Sequence, residues 1–208
     1  DVENGNTINT KALYGFDMFG MSFKGPKKVR TVEAWWYDVY KFMESLKPDE
    51  CGIYILDSLD ALSSDATEAR KDERVKAYDK GKEFTDGTFA MASQKFLSQE
   101  AFRGMQDDLK THNCMLYVIG QARDNVGAGL FAPKKRVGGG EAQKFAESVR
   151  LRSTALHTDN KEGIPVSVQV QVYAEKTRNP NPFRSCQFPI VFEYVLDRVV
   201  ADIDYLFD

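Results

Sequence analysis

The chain has 208 residues, of which 42% are hydrophobic and 28% are charged. This composition is typical of one soluble globular domain with a sizeable core. The formal net charge of −3 excludes a polycation, so any contact with nucleic acid must come from local basic patches. The cysteines and histidines show no metal-ligand spacing, and no apolar run reaches membrane-spanning length. We therefore expect a single domain over residues 1–208, with reduced thiols, a cytoplasmic location, no zinc site and no membrane contact.

Helices and strands alternate in the first half of the chain. Apolar residues recur at helical spacing from Thr31 to Leu46, and Pro48 ends the predicted helix. Residues 53–57 are a short apolar run that ends in Asp57, typical of a strand buried on both faces of a parallel sheet. The stretch 65–87 is dense in charge without an apolar period, which predicts an exposed loop or a partly ordered insert.

A second helix, strand and loop follow. Residues 88–110 predict a helix with an apolar inner face, and residues 115–121 predict a second buried strand. Residues 122–140 combine glycines with lysine and arginine, which predicts a flexible basic loop. A short helix is predicted from Glu141 to Ser148.

The last part of the chain predicts adjacent strands. They cover residues 149–155, 166–174 and 188–194, with a turn at residues 179–182. The order of elements therefore predicts an α/β fold with a mostly parallel central sheet flanked by helices and an antiparallel C-terminal extension.

Two acidic positions suit nucleotide chemistry. Asp57, followed by Ser58, ends a predicted parallel strand, the edge at which ligands gather in such folds and where a carboxylate can hold magnesium. Asp1-Val2-Glu3 is a second candidate strand end, whose glutamate would deprotonate an attacking water. Many parallel strands end in aspartate and most terminal acids are simply solvated, so a structural role stays open for both.

Gln121 ends a predicted strand and leads directly into the basic loop. Its amide would hydrogen-bond a terminal phosphate, and the loop would then change its order with the nucleotide state. The lysines and arginines of the loop would contact nucleic-acid phosphates. A plain solvated loop is the alternative.

Lys176 and Arg178 lie two residues apart, so in an extended chain they share a face. Such a pair can reach a phosphate across a subunit boundary, as an arginine finger does. A charged strand end is the commoner explanation of such a pair.

Taken in order, these segments resemble the RecA/RadA recombinase family. Residues 54–62 look like its second nucleotide-binding strand, and residues 116–123 look like the strand that leads into its second DNA-binding loop. Residues 139–151 look like the segment after that loop, and residues 176–188 look like its late strand-turn-strand unit. The resemblance covers residues 50–62 and 88–197.

The resemblance implies roles for individual residues. Asp57, with Ser58, would bind the cofactors ATP and Mg²⁺, the metal through water; Glu3 would be the catalytic base, and Gln121 would sense the γ-phosphate. Lys176 and Arg178 would act on ATP bound to a neighbouring subunit. Single-stranded DNA would be bound by the loop 122–138, and the filament or ring interface would include the segment after it. The phosphate contacts would be Arg123, Lys134, Lys135 and Arg136, and the interface residues would be Lys144 and Phe145.

The chain departs from the family in two respects. It contains no G-x-x-x-x-G-K-[ST] phosphate loop, and Gly120 stands where relatives often carry Asn. Bacteriophage-type relatives are similarly divergent. We expect the 208 residues alone to bind ATP weakly and to be inactive, because the backbone amides and lysine of the missing loop form the main phosphate cradle.

Three functions remain open on these residues. The first is a DNA-dependent ATPase for recombination and repair that promotes strand exchange on single-stranded DNA. The second is a replicative-helicase-type ATPase with a similar core. The third is a non-catalytic DNA-binding or assembly module. The spacing of Lys176 and Arg178 favours the first.

Overall fold

The computed structural model of the chain describes residues 29–82, 92–124, 135–137, 140–178, 183–193, 195–196, 199 and 201–203. The described residues form two compact units, one ending at Ala146 and one starting at Glu147. The prediction of a single domain over residues 1–208 stays a prediction.

Helix α1 (Val32–Ser45) begins at Thr31, whose hydroxyl oxygen accepts the backbone N–H of Ala34 at 3.1 Å. Leu46 is extended and ends the helix, two residues before Pro48. This confirms the first predicted helix. Its apolar stripe is buried and forms one side of the core of the first unit, with Val32, Trp35, Val39 and Met43.

Strands β1 (Gly52–Leu56) and β2 (Cys114–Val118) form a parallel pair. The β1 residues Gly52 and Leu56 face the core and are buried. Ile53 and Ile55 alternate with them and are 64% and 48% exposed. The prediction that this strand is buried on both faces is therefore wrong for the described structure, because the helices cover only one face of the pair.

Helix α2 (Asp65–Asp79) replaces most of the loop predicted for residues 65–87. The Oγ of Ser64 accepts the N–H of Thr67 at 3.2 Å, and Asp65 and Glu68 lie at the positive end of the helix dipole. No residue of α2 is buried. The lack of an apolar period correctly indicated exposure but not a loop, because a cap and favourable charges support this helix.

The predicted helix 88–110 is present from residue 92 onward, and residues 88–91 lie outside the described part. It comprises α3 (Ala92–Phe96), a π-helical turn (Leu97–Ala101) and α4 (Phe102–Thr111). Its inner face closes the core against α1 through Leu97, Ala101, Phe102 and Met105. The phenol of Tyr40 on α1 donates to Asp108 Oδ2 on α4 at 2.6 Å.

Strands β3 (Ala122–Asp124) and β4 (Lys135–Val137) form an antiparallel ribbon at the two ends of the predicted basic loop. The prediction of a flexible loop over residues 122–140 is therefore wrong at its ends. Helix α5 (Gly140–Ala146) follows and confirms the short predicted helix.

The second unit is an antiparallel sheet in the order β5-β6-β7-β8. Strands β5 and β6 are longer than predicted, because both strands extend as far as the two-residue turn that joins them. Both turn residues have positive φ, 54° at Glu162 and 82° at Gly163, which matches the right-handed twist of a hairpin. The bounds are β5 (Val149–Lys161), β6 (Ile164–Thr177), β7 (Ser185–Val191) and β8 (Val195–Leu196).

The predicted α/β class is confirmed, with a parallel strand pair among helices and an antiparallel sheet towards the C-terminus. Among the described residues, no helix combines the length and apolar character needed to cross a membrane.

Candidate functional site

The two parallel strands end side by side. Leu56 and Val118, the last residues of β1 and β2, are register partners. Beyond them, the N–H of Ile119 donates to Leu56 O and the N–H of Leu59 donates to Ile119 O, both at 2.9 Å. The segments after the two strands are thus joined, and their side chains share one edge of the sheet.

Asp57 is exposed at this edge, whereas Ser58 is only 1% exposed. The peptide bond between them is cis. Of the two, only Asp57 presents its side chain to solvent, which suits a carboxylate that meets a bound cation or phosphate-linked metal.

Tyr54, three residues before Asp57, links β1 to α1. Its phenol donates to Asp38 Oδ2 on α1 at 2.8 Å. Burial raises the pKa of Tyr54 far above its ordinary value, and the bond to Asp38 raises it further. Tyr54 therefore stays protonated and keeps this bond at neutral pH. At the start of β2, burial raises the pKa of the Cys114 thiol, which disfavours the reactive thiolate.

Gln121 is exposed three residues after β2, and its backbone N–H donates to Asp60 Oδ2 at 2.6 Å. Asp60 lies in a 3₁₀ turn (Leu59–Ala61) that follows Asp57. The structure therefore brings Asp57 and Gln121 to neighbouring strand ends. Asp60 is an addition that the sequence did not single out, although a second acid three residues after Asp57 was a visible signal.

The ribbon of β3 and β4 carries cations at facing positions. Arg123 is the register partner of Arg136, and Asp124 is the partner of Lys135. The Arg123 side chain is exposed, whereas the side chains of Lys135 and Arg136, and Lys134 as a whole, lie outside the described part. Arginine and lysine residues grouped on one short ribbon are suited to contact phosphates.

In the second unit, Lys176 is the penultimate residue of β6 and is the register partner of Arg150. The N–H of Arg178, just after the strand, donates to Ser148 O at 3.0 Å. The pairing skips Glu175, because Lys176 faces Arg150 while Ala174 faces Leu151. This bulge interrupts the ladder immediately before Lys176.

Two of the neighbouring arginines are paired with acids. Arg150 Nε lies 2.6 Å from Glu147 Oε2, and an Arg152 terminal nitrogen lies 2.5 Å from Glu175 Oε1. Arg150 is thus paired with an acid just before β5, and Arg152 is paired with an acid on β6. Lys176 is half-buried and Arg178 is exposed beside them.

Helix α5 carries Lys144 and Phe145, both exposed, with 78% of Phe145 accessible. The helix is attached to α4, since Gln106 Nε2 donates to Ala146 O at 2.7 Å. Phe145 borders a groove of about 370 Å³ that also includes Phe102 and Arg103.

The remaining candidate, Glu3, lies outside the described residues. Asp57, Ser58 and Gln121 are brought together in the first unit, while Lys176 and Arg178 lie in the second. No cluster of three or more histidine, cysteine or acidic side chains that could hold a metal occurs within the described ranges.

A family model, the RecA N-terminal domain, matches residues 76–197 of the chain. The matched range includes Gln121, the basic ribbon, Phe145 and both Lys176 and Arg178. Asp57 and Glu3 precede it.

Curated proteins also match part of the chain. Protein RecA of Methylobacterium sp. (strain 4-46) is 30% identical over 111 residues, which is 53% of this chain and 30% of that protein. Protein RecA of Leptospira meyeri is 29% identical over 118 residues, 57% of this chain and 30% of that protein. The mitochondrial DNA repair protein recA homolog of Dictyostelium discoideum is 29% identical over 118 residues, 57% of this chain and 26% of that protein. The matches span less than a third of each of these relatives.

Proposed function

The chain belongs to the RecA N-terminal domain family, and on that premise we propose that the complete protein is an ATP-dependent recombination and repair protein that acts on single-stranded DNA. In this proposal it binds single-stranded DNA, exchanges strands and hydrolyses ATP between subunits of a filament or ring in the cytoplasm.

One observation carries the proposal: Asp57 and Gln121 follow register-paired parallel strands and are exposed at the same edge. Nucleotides in open α/β sheets bind at the carboxyl ends of the strands. A carboxylate and an amide at that edge can meet the metal and the terminal phosphate of one nucleotide.

Mg²⁺ fits the Asp57 position. This ion keeps several waters and is usually held by one or two carboxylates together with substrate phosphates, so a protein cage of three ligands is not required. The exposed carboxylate of Asp57 at the strand end fits this mode of binding. When bound, the metal would neutralise charge on the phosphates; Asp57 would orient its water shell, and Gln121 would hydrogen-bond the terminal phosphate. Glu3 would deprotonate the attacking water.

The basic ribbon is the proposed DNA contact. Arg123 and Arg136 are register partners in this ribbon, and cations grouped in this way would contact a phosphate backbone. Lys134 and Lys135 would add phosphate contacts. Because the ribbon starts one residue after Gln121, the nucleotide and the DNA would act on adjoining residues.

The second unit supplies the proposed trans contact. The bulge at Glu175 and the bond from Arg178 to Ser148 set the geometry of Lys176 and Arg178 at the end of β6. These cations would stabilise the charge of the ATP held by the adjacent subunit. Lys144 and Phe145 on α5 would contribute to the subunit interface.

The test is ATP hydrolysis by the complete protein with and without single-stranded DNA, for the wild type and for Asp57→Asn. We expect single-stranded DNA to stimulate ATP hydrolysis in the wild type. We expect Asp57→Asn to lower the rate of hydrolysis about 10- to 100-fold, the range for residues that act on a metal through its outer shell. A rate of ATP hydrolysis that changes neither with DNA nor with the substitution would contradict the proposal. Strand-exchange and duplex-unwinding assays on the same samples separate a recombinase from a helicase.

A further inference from the structure

Asp60 joins the two strand ends through its side chain. Its Oδ2 accepts the backbone N–H of Gln121 at 2.6 Å, across 61 positions of sequence. Two backbone bonds, from Ile119 to Leu56 and from Leu59 to Ile119, join the same segments. Of these three links, the bond to Asp60 is the one that a single side-chain substitution removes.

The bond to Asp60 is short and charge-assisted, which makes it stronger than a neutral hydrogen bond. Gln121 lies in the segment between β2 and β3. The Asp60 carboxylate therefore ties the backbone of Gln121 to the turn that follows Asp57.

The position of Gln121 matters because β3 starts at the next residue. A displacement of the Gln121 side chain can only be passed on to Ala122 and Arg123 if the Gln121 backbone is held at a defined point. A loosely held backbone would instead absorb the displacement.

We propose that Asp60 is a positioning residue that couples the nucleotide at Asp57 and Gln121 to the DNA-binding ribbon. This inference rests on the proposed function, since it assigns the coupling between the two ligands of that site. The predicted effect of losing Asp60 is on coupling rather than on stability, because Gln121 is exposed and water can replace the carboxylate as acceptor.

The experiment measures the affinity of the complete protein for fluorescent single-stranded DNA with and without the β,γ-imido analogue of ATP. The ratio of the two dissociation constants is the coupling, which is about 5- to 150-fold in typical two-ligand systems. We expect Asp60→Ala to bring this ratio close to one, while DNA affinity without nucleotide and affinity for the analogue alone stay as in the wild type. We expect Asp60→Asn to retain part of the ratio, because its amide oxygen can still accept the bond.

Asp49→Ala is the matched control, since it removes an exposed carboxylate in the turn between α1 and β1. It should keep the wild-type ratio. Amide hydrogen exchange gives a direct second measurement: the N–H of Gln121 should exchange faster in Asp60→Ala than in the wild type and in Asp49→Ala.

The outcomes are distinct. If the DNA affinity of the wild type is the same with and without the analogue, the proposed function is contradicted, and the role of Asp60 is contradicted with it. A wild type that responds, together with an Asp60→Ala variant that responds equally or shows unchanged exchange at Gln121, overturns the role of Asp60 alone. Global unfolding of Asp60→Ala would also overturn it, since a surface anchor should contribute little to stability.

Discussion

Leu56 and Val118 are register partners at the ends of β1 and β2, and this pairing places Asp57 and Gln121 beyond the same edge of the sheet. The arrangement has a direct consequence for nucleotide binding. In the proposed site, the strand that ends in an acid and the strand that leads to an amide would present Asp57 and Gln121 to one ligand, although these two residues are far apart in the sequence.

If Gln121 senses the terminal phosphate, its replacement should separate ATP binding from its effect on DNA. We expect Gln121→Ala in the complete protein to bind ATP nearly as the wild type does, but to lose most of the increase in DNA affinity that ATP causes. Parallel titrations of nucleotide and DNA measure both. A variant that loses ATP affinity and keeps the DNA response would contradict the assignment.

The ribbon should contribute a salt-dependent part of DNA binding. Lys135→Ala with Arg136→Ala removes two cations, so the slope of log affinity against log salt should fall by about 1.4 for a single strand. Lys41→Ala with Lys110→Ala is the matched control, since it removes two exposed cations from α1 and α4. An unchanged slope in the ribbon variant, or an equal change in the control, would rule out the ribbon as the contact.

Tyr40 predicts a loss of stability at alkaline pH. Burial, and then the bond to Asp108, raise the pKa of Tyr40 from 10.0 to about 12. Because the pKa of Tyr40 is raised in the folded state, protonated Tyr40 contributes its full share of the folding stability below pH 10. This contribution is lost as the pH rises through 12. We expect Tyr40→Phe to unfold with a weaker pH dependence in this range, as followed by denaturant titration.

Asp108→Asn separates the two causes of the Tyr40 shift. Because burial is the larger cause, this variant should keep part of the alkaline dependence that Tyr40→Phe removes. Equal profiles for the wild type and both variants would show that the pKa of Tyr40 does not differ between the folded and unfolded states, which would contradict the raised value.

Two glycines should respond oppositely to alanine. A Cβ on Gly52 would lie 2.6 Å from Leu46 Cδ1 and 2.8 Å from Phe42 Cε1, so these two side chains must shift, and we expect a loss of about 1 kcal/mol. At Gly104 in α4, the nearest atom is the Tyr40 hydroxyl at 3.9 Å, so Gly104→Ala should stabilise by about 0.5 to 1 kcal/mol. Thermal or denaturant unfolding measures both, and a shift of the same sign would contradict the packing at Gly52.

Elements with a local signal could be predicted from the sequence. Helix α1 has an apolar stripe and a Thr31 cap, and β6 alternates in valines, so both depend on nearby residues alone. Helix α2 was missed because a Ser64 cap and well-placed charges, rather than an apolar face, support it. The exposure of Ile53 was missed because tertiary packing, not composition, decides which face of a strand is covered.

The candidate site shows the same difference between local signals, which could be predicted, and long-range pairing, which could not. Asp57 and Gln121 were identifiable since each ends an apolar run, and parallel strands share their carboxyl edge. The bond between Asp60 and Gln121 was not, because it depends on the register of β1 with β2 and on the path of the turn after β1. The register partner of Lys176 and the bulge at Glu175 likewise follow from strand pairing across many residues.

The assignment of Lys176 to a neighbouring subunit's ATP can be tested by mixing two defective proteins. Lys176→Ala should lower ATP turnover by roughly 100-fold or more, since a trans cation in phosphoryl transfer contributes about 10³ to 10⁵. DNA binding without nucleotide should persist, and Lys161→Ala, at the turn of the same hairpin, should turn over ATP normally.

Asp57→Asn and Lys176→Ala damage opposite sides of the proposed shared site. In a mixed assembly, a Lys176→Ala subunit supplies an intact Asp57 and an Asp57→Asn neighbour supplies an intact Lys176. Equal random mixing at such a head-to-tail interface should therefore restore about a quarter of wild-type turnover. If the mixture is no more active than the separate variants, Lys176 acts within its own subunit or not on ATP, because only a contact between subunits allows the two defects to complement each other.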